Sequence, residues 1–209
     1  MKFIISGIGT DVGKTVASAI IAQALDATYW KPVQAGDLHF TDSMKVDQWT
    51  DDKVAVLAER YRLNEPMSPH AAAEIDGVSI QAGDFEIPTV SGNLIVEGAG
   101  GLMVPVNTNG LIYIDLFQNW NIPVILISRH YLGSINHTLL SVEALRSRNI
   151  PIQGIIYVGD ENTHTESIIA KITGLTVIGR IPLVNDVNAS FIKEQAAIFK
   201  SYFENERLD

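Results

Sequence analysis

The sequence predicts an α/β fold with a mostly parallel β-sheet and helices on both faces. Three observations carry this. Short β-branched apolar runs alternate with segments of helical period. The runs are apolar on both faces, as in a sheet covered from both sides. A glycine-rich loop, G-I-G-T-D-V-G-K-T over Gly7–Thr15, links the first run to the first amphipathic segment.

In chain order, strands are predicted over Lys2–Ser6, Thr28–Val33, Asn93–Glu97, Pro123–Ser128, Ile152–Val158 and Leu175–Gly179. Helices are predicted where apolar residues recur at three and four: Val16, Ile20, Ile21 and Leu25; Val54, Leu57, Ala58 and Tyr61; Ile135, Leu139, Val142 and Leu145; Ile192, Ala196, Phe199 and Phe203. Two stretches break the alternation, the polar Gln34–Thr50 and the proline-containing Glu65–Thr89. Long loops at the carboxyl ends of parallel strands are where such sheets bind ligands.

The 209 residues suffice for one domain with a full core. A net charge of −9 with scattered basic residues argues against a nucleic-acid or membrane-surface partner. Absence of cysteine excludes disulfides and thiolate-bound metals. No segment reaches the roughly 20 apolar residues of a membrane span, and the amino terminus is too short for a signal-peptide core, so a soluble cytoplasmic protein is expected.

The first loop has the context of a phosphate-binding loop, between a strand and a helix, but one residue too many. Its amides and the helix amino terminus would face an anion. Lys14 would reach the outer phosphates, and Thr15 would offer a hydroxyl to Mg²⁺. Asp11 is unusual in such a loop. It is read either as a contact for a cationic substrate group or the metal's water shell, or as a solvated acid. Lys31 closes the second predicted strand, where an unpaired ammonium is expensive to bury, and would face the same crevice as Lys14. Glu97, followed by Gly98-Ala99-Gly100-Gly101, closes the third and looks like a carboxylate for nucleotide-bound Mg²⁺. Asp37, Asp42, Asp47, Asp51 and Asp52 compete for a second metal carboxylate, and spacing does not choose among them. Gly133-Ser134-Ile135-Asn136 opens a later helix, as a second anion cradle or a plain cap. The five histidines have no ligand spacing, and the three tryptophans read as packing.

With these motifs in order along nearly the whole chain, the sequence resembles the dethiobiotin synthetases, ATP-dependent ring-closing enzymes of biotin synthesis. That family's loop, G-T-D-x-x-V-G-K-T, is matched in length and in its last four residues by Gly7–Thr15. Its K-P-V-x-[ST]-G corresponds to Lys31–Gly36, its S-P-H after E-P to Glu65–His70, its V-E-G-A-G-G to Val96–Gly101, its L-G-x-I-N-H to Leu132–His137 and its I-P to Ile181-Pro182. The resemblance implies one P-loop-type synthetase domain over residues 1–209, using ATP and Mg²⁺ to join 7,8-diaminononanoate and CO₂ or bicarbonate. It implies that Thr10, Asp11, Val12, Gly13, Lys14 and Thr15 wrap the triphosphate, with Lys14 and Lys31 on the phosphates and the reacting carbamate. Thr15, Asp47 and Glu97 would hold Mg²⁺, Asp47 being chosen by its distance from the next helix. Gly98, Ala99 and Gly100 would line the substrate side. Pro182, Leu183 and Val184 would frame adenine. Gly133, Ser134, Ile135 and Asn136 would cradle the substrate's tail carboxylate across a homodimer interface.

Two positions depart from the family. Ala35 replaces a Ser or Thr that would give substrate a hydroxyl, a role Gln34 is expected to take. Val158, followed by Gly159, stands where an adenine-reading Asn is usual, which leaves base recognition to the backbone or loosens it. The rival readings are a partition-type or cofactor-insertion ATPase, whose loop carries a lysine where this chain has Gly9; a larger amidotransferase-linked synthetase, which needs a nucleophilic cysteine; and a non-catalytic nucleotide-binding homologue.

Overall fold

The structure, a computed structural model, describes residues 1–205. The chain runs through β1 (Lys2–Gly7), α1 (Lys14–Leu25), β2 (Ala27–Trp30), β3 (Val33–Ala35), α2 (Asp42–Trp49), β4 (Val56–Leu57), β5 (Tyr61–Leu63), α3 (Pro69–Ile75), β6 (Asn93–Gly101), α4 (Tyr113–Trp120), β7 (Val124–Arg129), α5 (Ser134–Ser147), β8 (Ile152–Val158), α6 (Thr163–Thr173), β9 (Val177–Ile181) and α7 (Ala189–Asn205). Seven strands form one parallel sheet in the order β4-β2-β6-β1-β7-β8-β9, and β3 pairs with β5 in a small second sheet.

Alternation along β1 divides the core. Ile5 faces a layer with Ile20, Ile21, Phe199 and Phe203 of α1 and α7, while Ile4 faces Tyr113 and Phe117 of α4. The loop-borne helix α1 is apolar nearly all round and almost wholly buried, as expected of a helix covered on every side. Each fully buried Ile contributes about 1.5–3 kcal/mol, so the loop that opens α1 starts on a rigid base.

The six predicted strands are found, with differences that matter for the site. The run Thr28–Val33 is broken at Lys31-Pro32, because proline has no N–H for a central ladder. The chain leaves the large sheet there, and the Pro32 carbonyl accepts from Tyr61 N at 3.0 Å in the small one. β6 continues past Glu97 to Gly101, and β9 starts at Val177 rather than Leu175. No helix covers 54–61. Leu57 lies in β4 opposite Trp30, and Tyr61 lies in β5 opposite Val33, so apolar spacing that mimics a helical stripe arises from two short strands in different sheets. Helices α2, α3, α4 and α6 have no counterpart among the four apolar stripes of the sequence. α2 and α3 occupy the two stretches read as irregular. Among the described residues no helix is long and apolar enough to cross a membrane.

Candidate active site

The carboxyl ends of β1, β2 and β6 lie side by side, and a cleft of about 750 Å³ opens above them. Gly13, in the left-handed region at φ 97°, turns the loop into α1 and its carbonyl accepts from Ala17 N at 3.0 Å. A Cβ on Gly7 would stand 2.5 Å from the Val12 side chain, so the tight loop requires glycine there. Thr10, Asp11, Gly13, Lys14 and Thr15 line the cleft, whereas Val12 is buried beneath the loop.

Lys14 is buried and its ammonium donates to the Gly9 carbonyl at 2.9 Å. Burial pulls its pKa below the ordinary lysine value, against the attraction of Glu97. A neighbouring anion would relieve that cost. Lys31, released from the sheet by the Pro32 break, donates to Asp42 Oδ2 and lies 3.4 Å from Glu97 Oε1. Burial acts to lower its pKa too, but Glu97 and Asp42 outweigh it and the net shift is upward.

Glu97 is fully buried and organises the floor of the cleft. Its Oε1 accepts from the Thr15 hydroxyl at 3.0 Å, and its Oε2 from the Tyr29 hydroxyl at 2.9 Å. Burial, then Glu97, pushes the Tyr29 phenol well above its ordinary pKa, so it stays a neutral donor. Tyr29 was missed in the sequence. Its signal is period two, since residues two apart on a strand share a face, and Tyr29 stands two before Lys31.

The structure sets Asp42, not Asp47, among the cleft residues. Asp47 is exposed on α2. The two are five residues apart, which is about 140° around a helix, so they point to different sides. Thr41 caps α2 by accepting from Met44 N at 3.2 Å, and Gln34 Oε1 accepts from Asp42 N at 3.2 Å. Burial would raise the Asp42 pKa, but Lys31 and then Lys45, whose Nζ lies 2.9 Å from Oδ1, hold it below the usual carboxylate value. The Gln34 amide accepts from α2 and donates through Nε2 to the Gly36 carbonyl at 3.0 Å, while the residue lines the cleft beside Ala35. Ala35, Ala99 and Gly100 line the cleft, while Gly98 is buried. The stretch Pro66–Pro69, together with Lys45 and Trp49, completes the walls.

The other expected residues lie outside this cleft. Gly133, Ser134, Ile135 and Asn136 line a separate cavity of about 790 Å³ at the start of α5. Leu183 and Val184 are exposed after β9. Val158 is apolar packing: its methyls lie 3.2–3.3 Å from where a Cβ on Gly13 would be. The carbonyls that follow it, Gly159 and Asp160, accept from Arg180 Nη1 at 3.3 and 3.2 Å.

Thr15, Glu97 and Asp42 offer hydroxyl and carboxylate oxygens, the hard donors that Mg²⁺ takes, and two carboxylates suit a cation that keeps waters and phosphate oxygens. The residues present therefore fit the metal. Among the described residues no cluster of three or more His, Cys, Asp or Glu forms an all-protein cage.

Comparison with known proteins bears on this arrangement. The model of a family described as AAA domain matches residues 1–190. In fold the chain is similar to the septum site-determining protein MinD of Pyrococcus horikoshii, complexed with Mg-ADP (TM-score 0.60, 14% identity, covering 100% of this chain and 97% of that one). It is equally similar to a putative plasmid partition protein of Borrelia burgdorferi bound to AMPPNP (TM-score 0.60, 12% identity, 98% of both chains). At such identities the likeness is one of fold alone. In sequence the chain is 52% identical over 200 residues to the ATP-dependent dethiobiotin synthetase BioD of Christiangramia forsetii, covering 95% of this chain and 96% of that one. It is 48% identical over 206 residues to the protein of the same name from Rhodopseudomonas palustris strain BisB18, covering 98% and 97%. By identity of this level over nearly the full length of both chains, the protein belongs to the ATP-dependent dethiobiotin synthetase family.

Proposed function

We propose that this chain, residues 1–209 acting as one synthetase domain, uses ATP and Mg²⁺ to close a ureido ring on 7,8-diaminononanoate with CO₂, giving dethiobiotin, ADP and phosphate. The observation that carries the reading is the convergence of Lys14, Lys31, Thr15, Glu97 and Asp42 on one cleft. One amine of the diamine captures CO₂ as a carbamate. The carbamate oxygen attacks the γ-phosphate, and the second amine then displaces phosphate from the mixed anhydride.

A carbamate beside a triphosphate is a dense negative centre, and Lys14 and Lys31 supply preorganised positive charge for it. Thr15, Asp42 and Glu97 would hold Mg²⁺, which when bound neutralises phosphate charge. An alkyl amine of pKa about 10.4 is neutral in only about one molecule in 2,000–3,000 at pH 7. The two ammonium groups favour its neutral form by repulsion. Asp11, exposed and lining the cleft with φ 56°, would receive the remaining ammonium. Asp11→Asn is expected to raise the diamine KM or lower kcat. Unchanged steady-state kinetics would remove Asp11 from the mechanism.

The test of the whole reading is incubation with MgATP, bicarbonate and the diamine. Diamine-dependent phosphate release with the ring product identified by mass spectrometry is expected; nucleotide hydrolysis indifferent to diamine would overturn it. Asp42→Asn is expected to raise the Mg²⁺ concentration for half-maximal rate by about tenfold or more, since it removes one of two carboxylates. Asp47→Asn, a surface change, is expected to leave it within about twofold. A larger effect of Asp47→Asn than of Asp42→Asn would return the metal role to Asp47.

We further read the chain as a homodimer in which the start of α5 meets the substrate tail bound to the other subunit. Exposed Leu132, Ile135 and Leu140 near that helix support this. A monomer by analytical ultracentrifugation at assay concentration would refute it.

A further inference from the structure

The two carboxylates suited to Mg²⁺ are the same two that hold Lys31. Asp42 Oδ2 accepts from the Lys31 ammonium, and Glu97 Oε1 lies 3.4 Å from it. The Lys31 side chain is 7% exposed and that of Glu97 is fully buried, so bulk water screens little of this attraction. A carboxylate oxygen turned toward an ammonium is not free to coordinate a cation, and a divalent ion placed on Glu97 Oε1 beside Lys31 would meet strong like-charge repulsion. Thr15 sharpens the conflict, because its hydroxyl donates to that same Glu97 oxygen at 3.0 Å. Asp42 also has a second cation, Lys45, 2.9 Å from its other oxygen, so neither oxygen is without an ammonium.

We propose that Lys31 and the divalent cation are antagonists at Asp42 and Glu97. The two carboxylates exchange the ammonium for the metal, and the displaced Lys31 regains a partner only when phosphates accompany the metal. This deepens the proposed function and rests on reading the cleft as a metal–nucleotide site. Its consequence is ordered loading. Free Mg²⁺ binds weakly, because it must displace an ion pair and leave Lys31 buried and unpaired. The metal–nucleotide complex binds well, because the phosphates give Lys31 a new partner. Lys31 is thereby presented to the reacting centre only in the loaded site.

The test is binding of Mn²⁺, followed by the electron paramagnetic resonance of the free ion, to nucleotide-free wild type and Lys31→Gln. The expected result is a Kd for Mn²⁺ lower in the variant by about tenfold or more, the direction Coulomb's law gives when a positive charge beside two carboxylates is removed. Unchanged or weaker binding would overturn the exchange, and a purely structural Lys31 predicts weaker binding. A second measurement needs no variant. Acetylation of Lys31 by an amine-selective reagent, read by peptide mass spectrometry, should accelerate in wild-type protein at millimolar Mn²⁺ without nucleotide; no acceleration counts against the exchange. Calorimetry of MgADP with wild-type protein separates the two levels of inference. No MgADP binding refutes the nucleotide site itself, whereas MgADP binding with no gain in Mn²⁺ affinity in Lys31→Gln refutes the exchange alone.

Discussion

Lys31→Ala is expected to cost about 10³-fold or more in kcat for ring closure, roughly 4 kcal/mol of transition-state stabilisation, while nucleotide binding survives. The reason is local. Lys31 is the buried ammonium between Asp42 and Glu97 in the cleft, whereas Lys14, in the glycine-rich loop, keeps its own bond to the Gly9 carbonyl. The fold should persist, because Asp42 keeps Lys45 and Glu97 keeps the Thr15 and Tyr29 hydroxyls. Phosphate release and product formation measure the loss, and a fluorescent ADP analogue measures retained binding. Turnover near the wild-type rate would remove Lys31 from the chemistry. Loss of ADP binding together with turnover would make it a general binding residue instead.

Glu97→Gln is the second large effect, and it is double. Glu97 is fully buried, and removing its charge leaves Lys31, among the described residues, with Asp42 as its ion-pair partner. An amide in its place also turns a donor toward hydroxyls or an ammonium that need an acceptor. Breaking a buried ion pair in this way is expected to cost about 3 kcal/mol, a fall in Tm of roughly 6–12 °C for a chain of this size. Independently of stability, the Mg²⁺ requirement should rise by about tenfold or more, because a metal-competent carboxylate is gone. Thermal unfolding measured beside Mg²⁺ titrations of the rate separates the two. An unshifted Tm with a raised Mg²⁺ requirement would mean the ion pair contributes little to stability. An unchanged Mg²⁺ requirement would mean Glu97 is a structural acid only.

The septum site-determining protein and the putative plasmid partition protein that share this fold are 12–14% identical to the chain and speak only to architecture.

How much was legible in advance differs by kind of feature. The phosphate loop was legible because its chemistry is contiguous: strand, glycines, Lys14, Thr15 and helix follow one another in the chain. Lys31 and Glu97 were legible because a charged residue ending an apolar run is locally anomalous. The choice of Asp42 over Asp47 was not, since it depends on where α2 begins, and a five-residue difference of phase sends one carboxylate into the cleft and the other into water. The helix expected over 54–61 failed for a related reason. Leu57 and Tyr61 repeat at helical spacing but pair with strands far away in sequence, and no local pattern contains that pairing.

By itself, then, the sequence determined the alternating architecture, the phosphate loop and the identity of the two lysines and the buried glutamate, because each is written in neighbouring residues and their periodicity. Only the tertiary structure decided that Tyr29 anchors Glu97, that Gln34 sets Asp42, and that Asp42, Glu97 and Lys31 form one ion-paired group. Those relations join β2, β6 and α2, whose separation along the chain carries no distance information until the parallel sheet brings their carboxyl ends together.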